Sequence, residues 1–174
     1  RFMNIGVLPF RNIKIPVFMF QIDTTDKQIL DLLMDNARMP ITLISRKLKI
    51  SGAAIHQRLK KLKDSKVITG SKFCLSPQGL GFHTLAFVGI QVNLTTNKTH
   101  HEVFNRILDI PEVVECHSIT GKYSYMLKIY AHSNEHLKKI LVEKIQSILE
   151  VTSTETFLSL EEGFNRSLPI ETTT

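Results

Sequence analysis

The segment Ser51–Lys66, SGAAIHQRLKKLKDSK, carries several side chains that could contact a nucleic acid. Its polar positions include a glutamine and two adjacent lysines, Gln57, Lys60 and Lys61. A glutamine amide can pair with two atoms on the edge of an adenine, and lysine ammonium groups can bind guanine or phosphate oxygen atoms. The same residue types would also suit an ordinary solvated helix, so the surrounding sequence has to decide between the two interpretations.

A single helix would place these side chains on one face. Ile55, Leu59 and Leu62 are spaced i, i+4 and i+7, which is the pattern of one buried helical stripe. Ser51 precedes them and is a favoured N-cap residue, because its hydroxyl can accept a hydrogen bond from a free backbone N–H group. Small residues fill the first turn, so we predict a helix whose N-terminal end could enter a DNA groove.

Two shorter helices are predicted before this one. The sequence DTTD gives the first helix a cap at Asp23 or Thr24, and its apolar stripe ends near Asn36. The second helix begins close to Pro40, a residue suited to a first helical turn. Its predicted inward-facing residues are Leu43, Ile44 and Leu48. Three short helices with a tight turn between the last two predict a helix-turn-helix domain.

The net charge of +6 is unevenly distributed along the chain. Ten basic residues and one acidic residue lie between Arg38 and Lys72, whereas eight basic and eleven acidic residues lie between Phe73 and the last residue. A protein with one strongly cationic part is expected to bind a polyanion through that part alone. An anionic membrane would also attract it, but the exposed face lacks the Trp, Phe or Leu side chains that interfacial helices insert. Charge and helical geometry together favour DNA binding over a bare three-helix bundle.

Beyond Lys66 the sequence favours strands. Alternation between Val67 and Leu75 predicts a connecting strand, and turn signals rich in serine, proline and glycine follow it. The remainder predicts the order β-α-β-β-α-β, which is the ferredoxin-like arrangement of the α+β class. The predicted strands cover residues 84–93, 113–119, 125–131 and 151–160, and the predicted helices cover residues 98–108 and a long segment capped at Ser133 or Asn134.

These patterns divide the chain into four parts. Residues 1–22 are predicted to be a peripheral extension that need not be native, and residues 23–66 to be a helix-turn-helix DNA-binding domain joined to the sheet by a strand. Residues 67–83 are predicted to be a connector strand and hinge. Residues 84–174 are predicted to be a ferredoxin-like domain for ligand binding and oligomerisation, with a C-terminal tail.

The first strand of the predicted sheet, TLAFVGIQVN, is apolar on both faces. Such a strand has to be covered on both sides. The two helices cover one face, and a second copy of the chain is the simplest cover for the other. The resulting two-fold dimer would match a helix-turn-helix domain, since such domains usually contact two half-sites of DNA.

The cysteine content and the hydropathy pattern favour a cytoplasmic protein. Cys74 and Cys116 are the only cysteines, and they give no disulfide framework, so a reducing compartment is expected. No apolar run approaches the roughly 20 residues that a membrane-spanning helix needs, and we predict no membrane partner.

Catalysis and metal binding find little support in the sequence. His132 and His136 are spaced i, i+4 and could place two metal ligands on one helical face, but no third ligand is indicated, so a capping or surface role is favoured. Cys116 and His117 alternate along a strand and face opposite sides. No nucleophile with a neighbouring base and no glycine-rich phosphate loop is present, and we predict no enzyme activity, no cofactor and no metal site.

A basic helix-turn-helix, a connector strand and a ferredoxin-like sheet in this order resemble the leucine-responsive regulator/asparagine regulator (Lrp/AsnC) family of feast-famine transcription factors. The resemblance extends from Asp23 to about Ile170, through the motifs DTTDKQIL, LISRKLKIS, IHQRLKKLKDSKVITG, VVECHSITGKYSYMLKI and VTSTETFLSL. It implies a DNA-binding regulator that forms homodimers, with an octamer as a tetramer of dimers, and that binds amino acids at interfaces. The DNA contacts that it implies are Arg46, Ser51, His56, Gln57, Arg58, Lys60 and Lys61, with Arg58 on phosphate.

The resemblance also implies an effector-binding loop, which corresponds to Thr120, Gly121, Lys122, Tyr123 and Ser124. The family commonly has acidic residues where Lys122 and Ser124 stand, and a carboxylate there would pair with the amino group of a ligand. Lys122 would instead favour an anionic group. The loop therefore predicts either an amino acid or similar small-metabolite effector, or only a hairpin turn.

Two other functional classes are compatible with the same sequence. The C-terminal sheet could be a small-molecule-binding or enzymatic domain for which the basic segment is an attachment module. The whole protein could instead be an architectural DNA-binding protein of weak specificity. Binding to DNA without any metabolite separates the first alternative from a regulator, and comparison of specific with scrambled duplexes separates the second.

Overall fold

The computed structural model describes residues 21–93 and 100–170. It divides into two compact units: one comprises the described residues up to Phe73 together with those from Phe164 onward, and the other comprises Cys74–Gly163. The predicted peripheral extension, residues 1–22, lies outside the described residues except for its last two positions.

Three helices form the first unit: α1 (Thr24–Asp35), α2 (Ile41–Leu48) and α3 (Gly52–Asp64). The predicted caps are confirmed. Asp23 and Asp26 form a reciprocal capping box at the start of α1. The Ser51 hydroxyl accepts a hydrogen bond from the backbone N–H of Ala54, at 3.2 Å, at the start of α3.

One fully buried isoleucine from each helix forms the centre of this unit. These residues are Ile29 in α1, Ile44 in α2 and Ile55 in α3. The predicted inward position of Leu43 is wrong, because its neighbour Ile44 points to the core and leaves Leu43 36% exposed. Burial of this apolar cluster fixes α3 against α1 and α2 and leaves the opposite face of α3 in solvent.

The predicted connecting strand, Val67–Leu75, is wrong for the single chain. None of its residues forms strand pairing, and Phe73 and Leu75 are 70% and 68% exposed. Alternating apolar residues favour an extended backbone, but a strand also needs a neighbour to complete its hydrogen bonds. Among the described residues, no neighbouring segment supplies that pairing.

The second unit contains the predicted β-α-β-β-α-β order, which is confirmed. Its strands are β1 (Thr84–Val92), β2 (Val113–Ser118), β3 (Tyr125–Ala131) and β4 (Val151–Leu158), and its first helix is α4 (His100–Leu108). The four strands pair in the order β2-β3-β1-β4, and every pairing is antiparallel. This topology is the ferredoxin-like one, with a short 3₁₀ turn at Gln78–Leu80 before β1.

The sequence predicts that the second helix of this unit is one long α-helix, and this prediction is wrong. It begins as α5 (Asn134–Lys139), with Ser133 as its N-cap, and continues as a π-helical turn over Ile140–Ile145. The wider turn has a physical rationale, because it brings two residues five positions apart onto the same side. Ile140 and Ile145 are both fully buried against the sheet.

The helices cover one face of the sheet, and the other face remains partly apolar and exposed. Phe87 in β1 lies directly opposite Phe157 in β4, and these side chains are 39% and 47% exposed. The prediction that β1 is apolar on both sides is therefore confirmed.

No helix among the described residues combines the length and the apolar character needed to cross a lipid bilayer.

Candidate DNA-binding helix and ligand loop

Helix α3 separates its apolar and polar residues onto two faces. Ile55 and Leu62 are fully buried, so they determine which side of the helix faces the domain. The predicted contacts on the other side are exposed together: His56, Gln57, Lys60 and Lys61. A rigid helix thus presents one amide, one imidazole and two ammonium groups to solvent on a single surface.

Two predicted contacts lie beside this surface. Ser51 is exposed at the N-terminal end of α3, where its hydroxyl caps the helix. Arg46 is exposed in the last turn of α2. Both lie at helix ends next to the tight turn between α2 and α3.

Arg58 differs from the other predicted contacts because its guanidinium group, although partly exposed, is bonded to two carboxylates of the same domain. Its Nη1 atom lies 2.6 Å from Oδ2 of Asp23 and 2.7 Å from Oδ1 of Asp26. Asp26 is only 3% exposed, so Arg58 supplies the counter-charge of a buried carboxylate. These bonds join α3 to the N-terminal end of α1. The sequence signal for this role is the pair of acidic residues at the start of α1, which by itself predicts only a helix cap.

The ion pair between Arg58 and Asp23 also changes the pKa of Asp23. The hydrogen bond from Arg58 lowers the pKa of Asp23 below its usual value of 3.8, and the backbone N–H of Asp26 lowers it further. A carboxyl group with a lowered pKa in the folded state stabilises the protein above its usual pKa. That contribution is lost as the pH falls through the lower folded-state pKa.

The predicted ligand loop is fastened to β1. Its two ends are joined by a hydrogen bond of 3.2 Å from the Ile119 N–H to the Ser124 carbonyl. The Ser124 N–H donates to the carbonyl of Ile90 at 2.8 Å, and the Gln91 side chain donates to the carbonyl of Lys122 at 2.8 Å. Gly121 adopts a φ of +111°, a conformation that favours glycine and closes the turn.

Tyr123 lies across β1 where that strand has no side chain. A Cβ atom at Gly89 would lie 2.7 Å from the Tyr123 ring, which is closer than real side chains approach. The glycine therefore makes room for the ring on the exposed face of the sheet.

A carboxylate from β4 completes this loop. Glu155 lies opposite Gly89 in the β1–β4 pairing, and its Oε2 atom accepts hydrogen bonds from the Lys122 ammonium group and from the Tyr123 hydroxyl. The sequence of the loop itself lacks the acidic residues common in the family and gives no indication of Glu155. Only strand register brings a residue 32 positions away from Tyr123 into contact with it.

We predict that Gly89→Ala destabilises the second unit by about 1–3 kcal/mol, because the new methyl group must displace the Tyr123 ring. Denaturant unfolding monitored by near-ultraviolet circular dichroism measures the change. Gly163→Ala is the control, since a Cβ atom there would meet nothing within 4 Å. Equal stability of the two variants would show that the Tyr123 ring does not depend on the absence of a side chain at Gly89.

His132 and His136, the two histidines considered as metal ligands, contact each other and neighbouring residues of the same unit. Their rings stack with centroids 5.2 Å apart, and the His132 backbone N–H donates to Nδ1 of His136 at 3.2 Å. The His132 ring also lies 2.8 Å from the Gly81 carbonyl and stacks on Phe82. Among the residues that the structure describes, no three potential ligands are grouped around a metal-sized space.

Cys116 has an environment unsuited to a nucleophile. Burial raises the pKa of its thiol to about 11, so the thiolate form is suppressed near neutral pH.

Both units match known protein families. Residues 22–69 match the winged helix-turn-helix DNA-binding family model, and residues 85–168 match the Lrp/AsnC ligand binding domain. The chain is 34% identical to the regulatory protein AsnC of Escherichia coli K12 over 149 residues, which cover 86% of this chain and 97% of that protein. It is 32% identical over 148 residues to the proline dehydrogenase transcriptional activator of Rhodobacter capsulatus, covering 85% of this chain and 96% of that protein.

Solved structures give the same result. The structure of E. coli AsnC matches with a TM-score of 0.80 and 33% identity, and the match covers 86% of this chain and 99% of that one. A transcriptional regulator from Neisseria meningitidis in complex with L-Met matches with a TM-score of 0.81, covering 87% of this chain and 98% of that one. Its identity of 24% makes it a likeness of fold alone.

Proposed function

Because this chain belongs to the Lrp/AsnC family of transcription regulators, we propose that it binds promoter DNA through α3 as a two-fold assembly and responds to a small molecule at the loop Thr120–Ser124. The regulator function follows from the family. The DNA-binding residues, the assembly and the effector are proposed in addition to that function.

The observation that carries the DNA proposal is the segregation of α3 into a buried apolar face and an exposed polar face. Gln57 can donate and accept a hydrogen bond at one adenine edge, and Lys60 and Lys61 can bind guanine or phosphate oxygens. Arg46, Ser51 and His56 extend this surface. Arg58 is already bonded to two carboxylates, so its contribution is to hold α3 in position.

Fluorescence anisotropy tests the DNA proposal with the duplex upstream of the protein's own coding sequence and a scrambled duplex of equal composition. We expect tighter binding to the first duplex without any metabolite, and a logarithmic affinity that falls linearly with the logarithm of salt concentration. Equal affinities would favour the architectural alternative. Absence of binding to both duplexes would favour a metabolite-binding or enzymatic protein with a basic attachment module.

A second copy of the chain is the proposed cover for the exposed sheet face. Phe87 and Phe157 form an apolar pair on that face. Packing of two such faces around a two-fold axis would bury the rings and duplicate α3 for two half-sites. We propose a homodimer as the basic unit and an octamer, as a tetramer of dimers, as the larger assembly.

The proposed effector is an amino acid or a similar small metabolite at Thr120–Ser124. Glu155 offers a carboxylate that could bind an ammonium group, and Lys122 offers an ammonium group that could bind a carboxylate. These two groups bond to each other in the structure, so a zwitterionic ligand would have to replace that ion pair with its own two charges. Lys122 and Glu155 thus provide the positive and the negative group that a zwitterionic ligand requires.

We predict that Glu155→Gln weakens binding of the effector by about 10-fold, because a charge-assisted hydrogen bond to its amino group becomes a neutral one. Thermal shift measurements with each of the twenty amino acids identify the ligand, and calorimetry then compares the variant with the parent. Glu135→Gln is the control, since Glu135 is exposed and, among the described residues, pairs only with Lys139 on its own helix. If no amino acid raises the unfolding temperature of the parent, the proposal of an amino acid effector at this loop is contradicted.

The same proposal places the protein in the cytoplasm as a regulator without catalytic activity. Its relatives are named as regulators, and the family resemblance supplies no reaction.

A further inference from the structure

Two lysines have an unusual backbone conformation. Among the described residues, Lys49 with φ of 56° and Lys66 with φ of 61° are the only residues other than glycine with positive φ. Lys49 follows α2, and Lys66 lies two positions after the end of α3. Both therefore lie at helix C-termini, where a left-handed residue ends the helix.

The left-handed conformation is energetically unfavourable for a lysine. The left-handed region brings the Cβ atom too close to the backbone, and glycine avoids the clash because it has no Cβ. Glycine is accordingly the usual residue at the left-handed end of a helix. Lys49 and Lys66 are thus two strained backbone positions, and both carry a cationic side chain.

Attraction to the helix dipole does not account for these lysines. A positive charge near a helix C-terminus is favourable, but other residues already provide it. Arg46 and Lys47 occupy the last turn of α2, and Lys61 and Lys63 occupy the last turn of α3.

The two lysines flank the proposed DNA-binding helix on both sides. Lys49 lies three positions before Gly52, the first residue of α3, and the 13 residues of α3 span about 20 Å at 1.5 Å per residue. The major groove is about 12 Å wide, so residues just beyond the two ends of a helix of this length lie within reach of the phosphate strands that border the groove. Both lysines are exposed, and neither ammonium group is bonded to another described residue.

From strain, charge and position together, we infer that Lys49 and Lys66 bind DNA phosphates on the two sides of the groove that α3 enters. Each left-handed lysine lowers the stability of the free protein, and in the complex it contributes a cation that binds a phosphate. The inference rests on the proposed function of α3, and it adds two contacts that the exposed face of the helix does not contain.

Glycine and alanine substitutions separate strain from charge. In Lys49→Gly and Lys66→Gly the charge and the strain are both removed, whereas in the corresponding alanine variants only the charge is removed. We expect each glycine variant to raise the unfolding temperature by about 2–6 °C. We expect all four variants to bind a 30-base-pair duplex about 3- to 10-fold more weakly, with a salt slope smaller by about 1 per protomer.

Lys138→Ala serves as the control, because it removes one exposed lysine from α5 in the other unit. It should leave both the affinity and the salt slope unchanged. The inference is overturned if the glycine variants gain stability but keep the salt slope of the parent, or if the slope changes at only one of the two positions. If the parent itself does not bind the duplex, the proposed function of α3 fails instead.

Discussion

Replacement of Lys60 and Lys61 together by alanine is expected to weaken binding to promoter DNA by about 100-fold at physiological salt. Both side chains are exposed on the face of α3 opposite its buried isoleucine, Ile55. Removal of two cations from each protomer removes two contacts to phosphate or guanine, and each lost phosphate contact lowers the salt slope by about 0.9. Anisotropy titrations of a labelled duplex at several salt concentrations measure both quantities.

The matched control for this double variant is Lys138→Ala with Lys139→Ala. Those lysines are also adjacent, exposed and helical, and the double change removes the same charge from the second unit. It should preserve at least half of the affinity of the parent. If the α3 variant and the α5 variant bind equally well, α3 is not the DNA-binding surface.

Arg58→Ala is expected to destabilise the helical unit by about 2–3 kcal/mol. The guanidinium group bonds to both Asp23 and Asp26, and its removal leaves the buried carboxylate of Asp26 without a cation. The Arg58 side chain is 32% exposed, so water replaces part of the lost interaction and limits the loss. Hydrogen exchange of α1 and α3 amides in the full chain measures the change within this unit.

Two comparisons make the Arg58 result specific. Arg106→Ala removes an exposed arginine from α4 and should leave exchange in α1 and α3 unchanged. The double variant Arg58→Ala, Asp26→Ala should be less destabilised than the sum of the two single variants, because the carboxylate no longer lacks a partner. Additive effects would show that the ion pair does not join α1 to α3.

The parts of this fold that could be predicted from sequence are those determined by local periodicity. The i, i+4, i+7 spacing of Ile55, Leu59 and Leu62 gave α3 its orientation, and Ser51 gave its start. The order of strands and helices followed in the same way. The connecting strand at residues 67–75 could not be decided locally, because strand formation depends on a pairing partner that alternation does not reveal.

The partners of Arg58 and Glu155 could not be predicted for a related reason. Arg58 is 32 positions from Asp26, and Glu155 is 32 positions from Tyr123. Only the packing of α1 on α3, and the register of β1 with β4, bring these pairs together. The sequence therefore predicts Arg58 as a DNA contact, whereas the tertiary structure bonds it to two carboxylates at the start of α1.

Selection from a random-sequence duplex library with the full-length protein tests the central claim most directly. DNA recovered after repeated rounds should contain a preferred sequence in two inverted half-sites, with centres about 10 base pairs or a multiple of that apart. The Lys60→Ala, Lys61→Ala variant should not enrich that sequence. Recovery of DNA with no preferred sequence, or with the same preference for parent and variant, would contradict a regulator that binds DNA through α3.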